Sequence, residues 1–181
     1  MPKMVRAGQT VVIFTALAVL WLAFSPPRRW PSDPLIAAGD RLFMTQIHLK
    51  DLSGQNWRLE DQLGKVVIVN FWATWCPPCR EETPGLIRLA NANHARGLKV
   101  VGISMDEGGL TPVAQFAERY HIPYPVLLPS TGFALADRVE SLPTTFLIDQ
   151  RGRIAKTYIG AVSQESFQRD VDRLLKTGVA E

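Results

Sequence analysis

Residues 66–79 read VVIVNFWATWCPPC, and the pattern of this segment is the strongest indication of the fold. Its first seven residues are β-branched or aromatic apart from Asn70, and such a run is typical of a strand buried on both faces of a parallel sheet. Its last four residues include Cys76 and Cys79, the only cysteines in the sequence. Because the strand ends and a helix begins near Trp75, the two-residue spacing places both sulfurs in the first turn of that helix.

Two thiols at the start of a helix are suited to forming a disulfide and releasing it again. A thiol with a pKa near ~8.5 is only a few per cent ionised at pH 7, whereas the free N–H groups at a helix N-terminus favour the thiolate. Pro77 and Pro78 fit the first turn, because no intrahelical hydrogen bond is lost there. We therefore expect Cys76 to be the exposed nucleophile and Cys79, one turn inward, to be the resolving thiol of a thiol–disulfide exchange site.

A pair of cysteines at this spacing also occurs as half of a zinc site, which is the main alternative. Structural zinc needs four ligands, and the sequence has no second CxxC motif. The three histidines, His48, His94 and His121, do not stand at ligand spacing from one another. The sequence therefore predicts neither a metal nor another cofactor at the two cysteines.

The composition is that of an ordinary globular protein of one domain with a short extra segment. The chain has 181 residues, of which 46% are hydrophobic and 20% are charged. Four basic residues and no acidic ones lie in the first 29 positions; without these four, 16 of the 20 basic residues remain against 17 acidic ones. The globular part has no basic excess, which argues against nucleic acid as a partner.

The N-terminal segment is apolar enough to enter a membrane. Residues 11–24 carry no charge, and as a helix they would span roughly 21 Å, short of the ~30 Å hydrocarbon core. A short membrane anchor, a cleaved signal peptide and a buried helix of a soluble protein are the three interpretations. We favour the uncleaved anchor, because a cut at the small residues Ala23 and Ser25 would leave Pro26 directly after it.

This interpretation divides the chain into an anchor at 1–25, a proline-rich tether at 26–34 and a domain at 35–181. Lys3 and Arg6 favour a cytoplasmic N-terminus, and the two basic residues of the tether oppose this only in part. The domain would then lie on the outer, oxidising side of the membrane. No cysteine outside the CxxC motif is available for a structural disulfide, so the motif is free for function.

The remaining periodicities predict a mixed α/β domain. We expect a helix from the cysteines to about Asn93, a second helix with Thr111 as its N-cap, a β-hairpin of residues 145–149 and 154–159, and a last helix capped by Ser163. The predicted order is β-β-β-α-β-α-β-β-β-α. Early parallel crossovers and a late hairpin predict a mixed central sheet with helices on both faces.

Three stretches of the sequence point to the same known family. Residues 69–80 (VNFWATWCPPCR), Glu82-Thr83-Pro84 and residues 142–149 (LPTTFLID) resemble the membrane-anchored TlpA/ResA/CcmG (DsbE) branch of the thioredoxin superfamily. Together with the N-terminal segment, the resemblance covers nearly the whole chain. It implies a thioredoxin-like α/β fold with an N-terminal β-hairpin and an inserted βα unit, preceded by a hydrophobic helix.

The resemblance also implies roles for residues near the cysteines. Pro143 matches the cis-proline beside the active disulfide, where the Leu142 backbone pairs with an extended substrate and Thr144 adds a further contact. A trans proline at the start of an edge strand is the alternative. Glu82 matches an acidic residue that modulates the pKa values of the thiols, and a solvated helix carboxylate, as expected for the neighbouring Glu81, is the alternative.

Asn70 and Trp75 complete the predicted site. Asn70 stands where cytoplasmic thioredoxins carry a buried aspartate, and an amide cannot titrate. We expect Trp75 to cover the disulfide and to contact substrates, with the alternative that Trp72 and Trp75 are both plain core residues.

For the whole chain, the resemblance implies an extracytoplasmic enzyme that reduces disulfides. Its expected clients are the cysteines of apocytochrome c or of a partner that handles them, and its own cysteines would be re-reduced by a transmembrane electron donor. It would be anchored in the bacterial cytoplasmic membrane with its catalytic domain in the periplasm. The CPPC motif does not set the direction of electron flow, so an oxidant, a maturation factor for another secreted protein and a copper-handling module stay open.

Overall fold

A computed structural model describes residues 34–44, 46–129, 133, 135–136 and 139–177. The predicted anchor at 1–25, and the tether apart from Pro34, lie outside the described residues, so both stay predictions. Within the described part of the chain, no helix is both long enough and apolar enough to cross a membrane.

The described elements follow the predicted order along the chain. Three strands come first, α-helices then alternate with strands, and a hairpin precedes the last helix. The strands are β1 His48–Asp51, β2 Asn56–Arg58, β3 Val66–Trp72, β4 Leu98–Ser104, β5 Val126–Leu128, β6 Thr144–Ile148 and β7 Ile154–Ile159. The α-helices are α1 Pro77–Asn93, α2 Leu110–Tyr120 and α3 Gln164–Thr177.

All the described strands belong to one mixed sheet with the order β2-β1-β5-β4-β3-β6-β7. β3 pairs in parallel with β4 and antiparallel with β6, so it receives hydrogen bonds on both sides. Every residue of β3 is buried, which confirms the prediction from its apolar run. The β1–β2 hairpin and the α2–β5 unit correspond to the two additions that the resemblance implies.

The three described α-helices pack on the same face of the sheet. α1 and α3 bury Leu86 and Phe167 against Ile68 of β3, and α2 buries Phe116 against Trp72 with ring centroids 4.7 Å apart. The steps β3–α1–β4 and β4–α2–β5 cross the sheet in the same direction, and right-handed crossovers therefore place both helices on one face. The expectation of helices on both faces is wrong for the described α-helices.

Among the residues that the structure describes, connecting segments cover the opposite face. Alternate β3 side chains, such as Val69 and Phe71, point into a second apolar cluster on that side. Met44 and Ile47 from the segment before β1 and Leu135 from the segment before β6 close this cluster. The sheet is therefore covered on both faces, with the described α-helices on one of them.

The start of α2 also differs from the prediction, whereas the start of α3 confirms it. The N-cap of α2 is Gly109, whose φ of 83° is open to glycine, and the helix begins at Leu110, so Thr111 lies in the first turn. At α3, the Ser166 N–H donates to Ser163 Oγ at 3.3 Å, as expected for an N-cap serine.

Gly102 on β4 leaves room for a large side chain of the neighbouring strand. A Cβ atom added at this position would lie 2.7 Å from Trp72 Nε1 and 3.6 Å from Tyr124 Cε2. Trp72 is only 3% exposed and is packed against Phe116, so its ring has no free space to move into. The absence of a side chain at Gly102 is therefore a packing requirement.

We predict that Gly102→Ala lowers the free energy of unfolding by about 1–3 kcal/mol, because overpacking a rigid core forces side chains off their preferred positions. Urea unfolding followed by tryptophan fluorescence measures this change. Gly39→Ala is the matched control, since a Cβ there meets nothing within 4 Å. Equal stability of the two variants would contradict the packing argument.

Candidate active site

The two cysteines lie where β3 gives way to α1. Cys76 is the N-cap of α1, and its N–H donates to the Ala73 carbonyl at 3.2 Å, which closes a tight turn after the strand. Cys76 and Cys79 form a disulfide with Cα atoms 5.3 Å apart. The Cys79 N–H donates to Cys76 Sγ at 3.3 Å. The predicted placement of both sulfurs in the first helical turn is confirmed, and a backbone donor points at Cys76 Sγ, the sulfur of the predicted nucleophile.

The expected exposure of Cys76 is wrong for this oxidised form. Cys76 is 3% exposed and Cys79 is 2% exposed. Cys76 nevertheless lines an open groove whose other walls include Trp75, Met105 and Leu142. Two of these groove residues are distant from Cys76 in sequence: Met105 directly follows β4, and Leu142 lies in the segment before β6. The groove is therefore an opening beside the disulfide.

The two tryptophans of the motif have different surroundings. Trp72 belongs to the core between β3 and α2, whereas Trp75 is 66% exposed and lines the groove beside Cys76. Only Trp72 is therefore a plain core residue. An exposed indole at a groove is a common anchor for a protein partner.

The loop before β6 forms the facing wall of the groove. The Leu142–Pro143 peptide bond is cis, in agreement with the resemblance, and Leu142 lines the groove together with Cys76. The Pro143 carbonyl accepts from the Gly160 N–H at 2.8 Å. Thr144 is 6% exposed, and its hydroxyl donates to the Ser141 carbonyl at 2.8 Å. The Thr144 side chain thus stabilises the loop by a hydrogen bond within it, and it does not line the groove.

Glu82 lies on the buried face of α1, one turn after Cys79. It is 5% exposed, which excludes the solvated carboxylate, whereas the neighbouring Glu81 is exposed as expected. Glu82 Oε2 accepts from Asn70 Nδ2 at 3.0 Å, and Oε1 accepts from the Val162 N–H at 2.8 Å. The carboxyl group therefore joins the active-site helix to the central strand and to the segment before α3.

Asn70, on the central strand, is a hydrogen-bond donor to the Glu82 carboxyl group. Its side-chain amide donates to Glu82 and also to Thr145 Oγ1 at 2.8 Å, across the β3–β6 pairing in which Asn70 and Thr145 are partners. Asn70 is thus a buried, uncharged partner behind the helix, and the titratable group that it contacts is the carboxyl of Glu82.

Burial raises the pKa of Glu82 from its usual 4.5 to about 7, although the hydrogen bonds from Val162 and Asn70 partly oppose the rise. Burial also raises the pKa of Tyr124, and the negative charge of Glu82 adds to that effect. At neutral pH, Glu82 is therefore close to the midpoint of its titration. A group poised in this way beside a reactive pair is typical of a functional site.

Sequence reasoning missed two partners of this site. The Asp106 carboxylate, directly beyond β4, accepts hydrogen bonds from Thr74 in the turn before Cys76. The Val162 N–H, the second donor to Glu82, is a backbone group with no sequence signature. Asp106 had a usable signal, because the carboxyl ends of parallel strands such as β3 and β4 meet at one edge of the sheet.

We predict that Glu82→Gln removes a pH dependence of stability. A pKa raised from 4.5 to about 7 on folding means that the contribution of Glu82 is fully present below pH 4.5 and is lost as the pH rises through 7. The loss amounts to at most about 3 kcal/mol. Urea unfolding of the oxidised protein between pH 5 and pH 8.5 measures it. Glu81→Gln, at the exposed neighbour, should keep the native profile; identical profiles for the two variants would refute the assignment.

Comparison with known proteins agrees with this geometry. The AhpC/TSA family model matches residues 43–157. Thioredoxin-like protein YneN of Bacillus subtilis is 36% identical over 126 residues, which cover 68% of this chain and 74% of that protein. Thiol-disulfide oxidoreductase ResA of Geobacillus thermodenitrificans is 35% identical over 127 residues, which cover 70% and 72% of the two chains.

Solved structures share the fold. A thiol:disulfide interchange protein of the thioredoxin family from Chlorobium tepidum TLS is 30% identical and superposes with a TM-score of 0.69, over 77% of this chain and 99% of that one. StoA from Bacillus subtilis, 26% identical, superposes with a TM-score of 0.61 over 69% and 95% of the two chains. The chain therefore belongs to the AhpC/TSA family of thioredoxin-like proteins and is one of its thiol–disulfide oxidoreductases.

Proposed function

We propose that this oxidoreductase works as a reductant of disulfides in exported proteins, with the cysteines of apocytochrome c as the expected client class. The observation that carries the direction is the buried carboxyl of Glu82, one helical turn from Cys79. A negative charge there disfavours a second negative charge on Cys79. A reduced form whose thiolates are poorly stabilised gives up its electrons readily, whereas a strong oxidant of this class has a stabilised reduced form.

The reaction starts from the reduced pair. The Cys76 thiolate attacks one sulfur of the client disulfide, forms a mixed disulfide and releases the first client thiolate. The Cys79 thiolate then attacks Cys76 Sγ, which releases the second client thiolate and closes the Cys76–Cys79 disulfide. Two electrons pass from the dithiol to the client, and the two protons lost by the dithiol balance those taken up by the client thiolates.

Glu82 is suited to assist the second step, in which Cys79 attacks Cys76 Sγ. With a pKa raised by burial to about 7, its carboxyl can accept a proton at neutral pH and can also return one. It shares the buried face of α1 with Cys79, at the i, i+3 spacing that brings helical side chains together. We assign it the role of taking up the Cys79 proton as that thiol becomes the attacking group.

The proposed location is the outer side of the cytoplasmic membrane, with residues 1–25 as the anchor and 26–34 as the tether. The charge-free run at 11–24 and the basic residues Lys3 and Arg6 support this orientation. Electrons in that oxidising compartment would come from a transmembrane donor, since each turnover leaves the protein oxidised. The resemblance to the TlpA/ResA/CcmG branch supports apocytochrome c as the client.

An oxidant is the second candidate, and one contact favours it. The Cys79 N–H that points at Cys76 Sγ stabilises a thiolate on Cys76, and a stabilised thiolate makes a disulfide more oxidising. The backbone N–H and the Glu82 carboxyl thus shift the reduction potential in opposite directions, and we assign the larger effect to the carboxyl.

A redox titration of the full chain in detergent decides between the two directions. We expect a reduction potential well below about −200 mV, as for reductants of this class, because Glu82 disfavours the reduced form. Equilibration with glutathione or dithiothreitol, followed by thiol labelling, measures the potential. A value near −120 mV, which is typical of a strong oxidant, would overturn the proposed direction.

A trapping experiment tests the roles of the two cysteines. In full-length protein, Cys79→Ser should accumulate mixed disulfides with clients through Cys76, because the resolving thiol is missing. Non-reducing electrophoresis detects the adducts, and mass spectrometry tests whether apocytochrome c is among them. Cys76→Ser is the matched control and should give few adducts. Equal trapping by both variants would contradict the assignment of Cys76 as the nucleophile.

A further inference from the structure

We propose that Asp106 is the positioning residue of the active-site turn, residues 73–76, and that it sets the place of Cys76 Sγ at the start of α1. The side chain does not belong to the CxxC motif and stands 30 positions after Cys76 in the sequence. The proposal needs only thiol–disulfide exchange by Cys76 and not the direction of electron flow, so it can fail or succeed independently of the proposed reductase function.

The Asp106 carboxylate accepts hydrogen bonds from residues at the ends of two neighbouring strands, β3 and β4. Its Oδ2 accepts from the Thr74 N–H at 3.0 Å and its Oδ1 accepts from the same N–H at 3.3 Å. The Thr74 hydroxyl donates to Oδ1, and the Ser104 hydroxyl donates to Oδ2 at 2.8 Å. The Asp106 N–H in turn donates to Ser104 Oγ at 3.2 Å. Hydrogen bonds to a charged acceptor are about twice as strong as neutral ones.

These contacts fix the turn that carries the nucleophile. Thr74 occupies the second position of the turn, between Ala73, whose carbonyl accepts from the Cys76 N–H, and Trp75. The Met105 N–H also donates to the Trp72 carbonyl at 2.7 Å, which extends the link between β3 and β4 by one residue. The turn is therefore tied to β4 on one side and continues into α1 on the other.

The position of the turn matters because the contact that stabilises the Cys76 thiolate is short-ranged. Cys76 Sγ accepts from the Cys79 N–H at 3.3 Å, and the stabilising effect of a helix N-terminus is confined to its first turn. A loosened Thr74 would let Cys76 move away from these donors. The same change would displace Trp75 relative to Met105, and both residues line the groove.

The charge of Asp106 and its hydrogen bonds affect Cys76 in opposite directions. A carboxylate near the thiol disfavours the thiolate, whereas a fixed turn favours it by holding the sulfur at the helix N-terminus. Removing only the charge should therefore leave Cys76 as reactive as before or make it more reactive. Removing the acceptors should make it less reactive. This opposition separates a positioning role from a purely electrostatic one.

The test compares Asp106→Ala with Asp106→Asn in the reduced full chain, in detergent. Asp106→Asn keeps a carbonyl acceptor for Thr74 but carries no charge. Alkylation of Cys76 by iodoacetamide is followed across pH, with unfolding measured in parallel. For Asp106→Ala, we expect alkylation at pH 7 to slow about ten-fold with a raised thiol pKa, since small displacements at a reactive group have effects of this size or larger. Asp106→Asn should stay within about two-fold of the native rate or exceed it.

Three further variants act as controls. Thr74→Val removes the hydroxyl donor while keeping the shape of the side chain, and it should slow alkylation in the same direction as Asp106→Ala. Thr74→Ser should restore the native rate. Asp61→Ala removes an exposed carboxylate before β3, at the end of that strand away from Cys76, and should leave the rate unchanged.

Three results would overturn the proposal. If Asp106→Ala and Asp106→Asn both accelerate alkylation to the same extent, Asp106 acts through its charge alone. If the folded variants keep the native rate and pH profile and lose only stability, Asp106 is a structural residue without influence on the nucleophile. If Asp106→Ala fails to fold, the comparison of Thr74→Val with Thr74→Ser decides the question, and equal rates for those two would likewise overturn it.

Discussion

The active site depends on the way in which β3 is held in the middle of the sheet. The strand receives hydrogen bonds from β4 on one side and from β6 on the other, and apolar clusters cover both of its faces. A strand held in this way ends at a fixed place, and Cys76 follows only four residues beyond that end. The pairing with β6 brings Thr145 beside Asn70, and the pairing with β4 brings Asp106 beside Thr74. The surroundings of the dithiol thus follow from the position of one strand.

The dithiol lies between two opposing electrostatic influences. The first turn of α1 directs a backbone N–H at Cys76, while the buried carboxyl of Glu82 lies on the inner side of the same helix. The two cysteines are therefore unequal: the outer sulfur has a donor and the inner one has an acidic neighbour. Inequality of this kind suits an exchange reaction in which one sulfur attacks first and the other resolves.

The sequence predicts those features that are encoded locally. The apolar run of β3, the CPPC motif at a helix start and the i, i+3 spacing of Cys79 and Glu82 all lie within one short segment, and the structure confirms their placement. Features created by long-range packing escaped prediction. The groove beside Cys76 includes Met105 and Leu142 from distant segments, and the placement of the three described α-helices on one face depends on the order of the strands in the sheet. The pattern of residues along the chain does not show which distant residues lie beside Cys76, and it does not show the order of the strands in the sheet.

The short span of the disulfide has a consequence for folding. A cross-link stabilises a protein mainly by restricting the unfolded chain, and this effect grows with the length of the loop that it closes. The Cys76–Cys79 link joins residues only three positions apart, so loop closure contributes about 2 kcal/mol, against about 4.7 kcal/mol for a 100-residue loop. The chain has no other cysteine, and its core is built from apolar packing on both sides of the sheet. Opening and closing the link in each catalytic cycle therefore leaves most of the folding free energy unchanged.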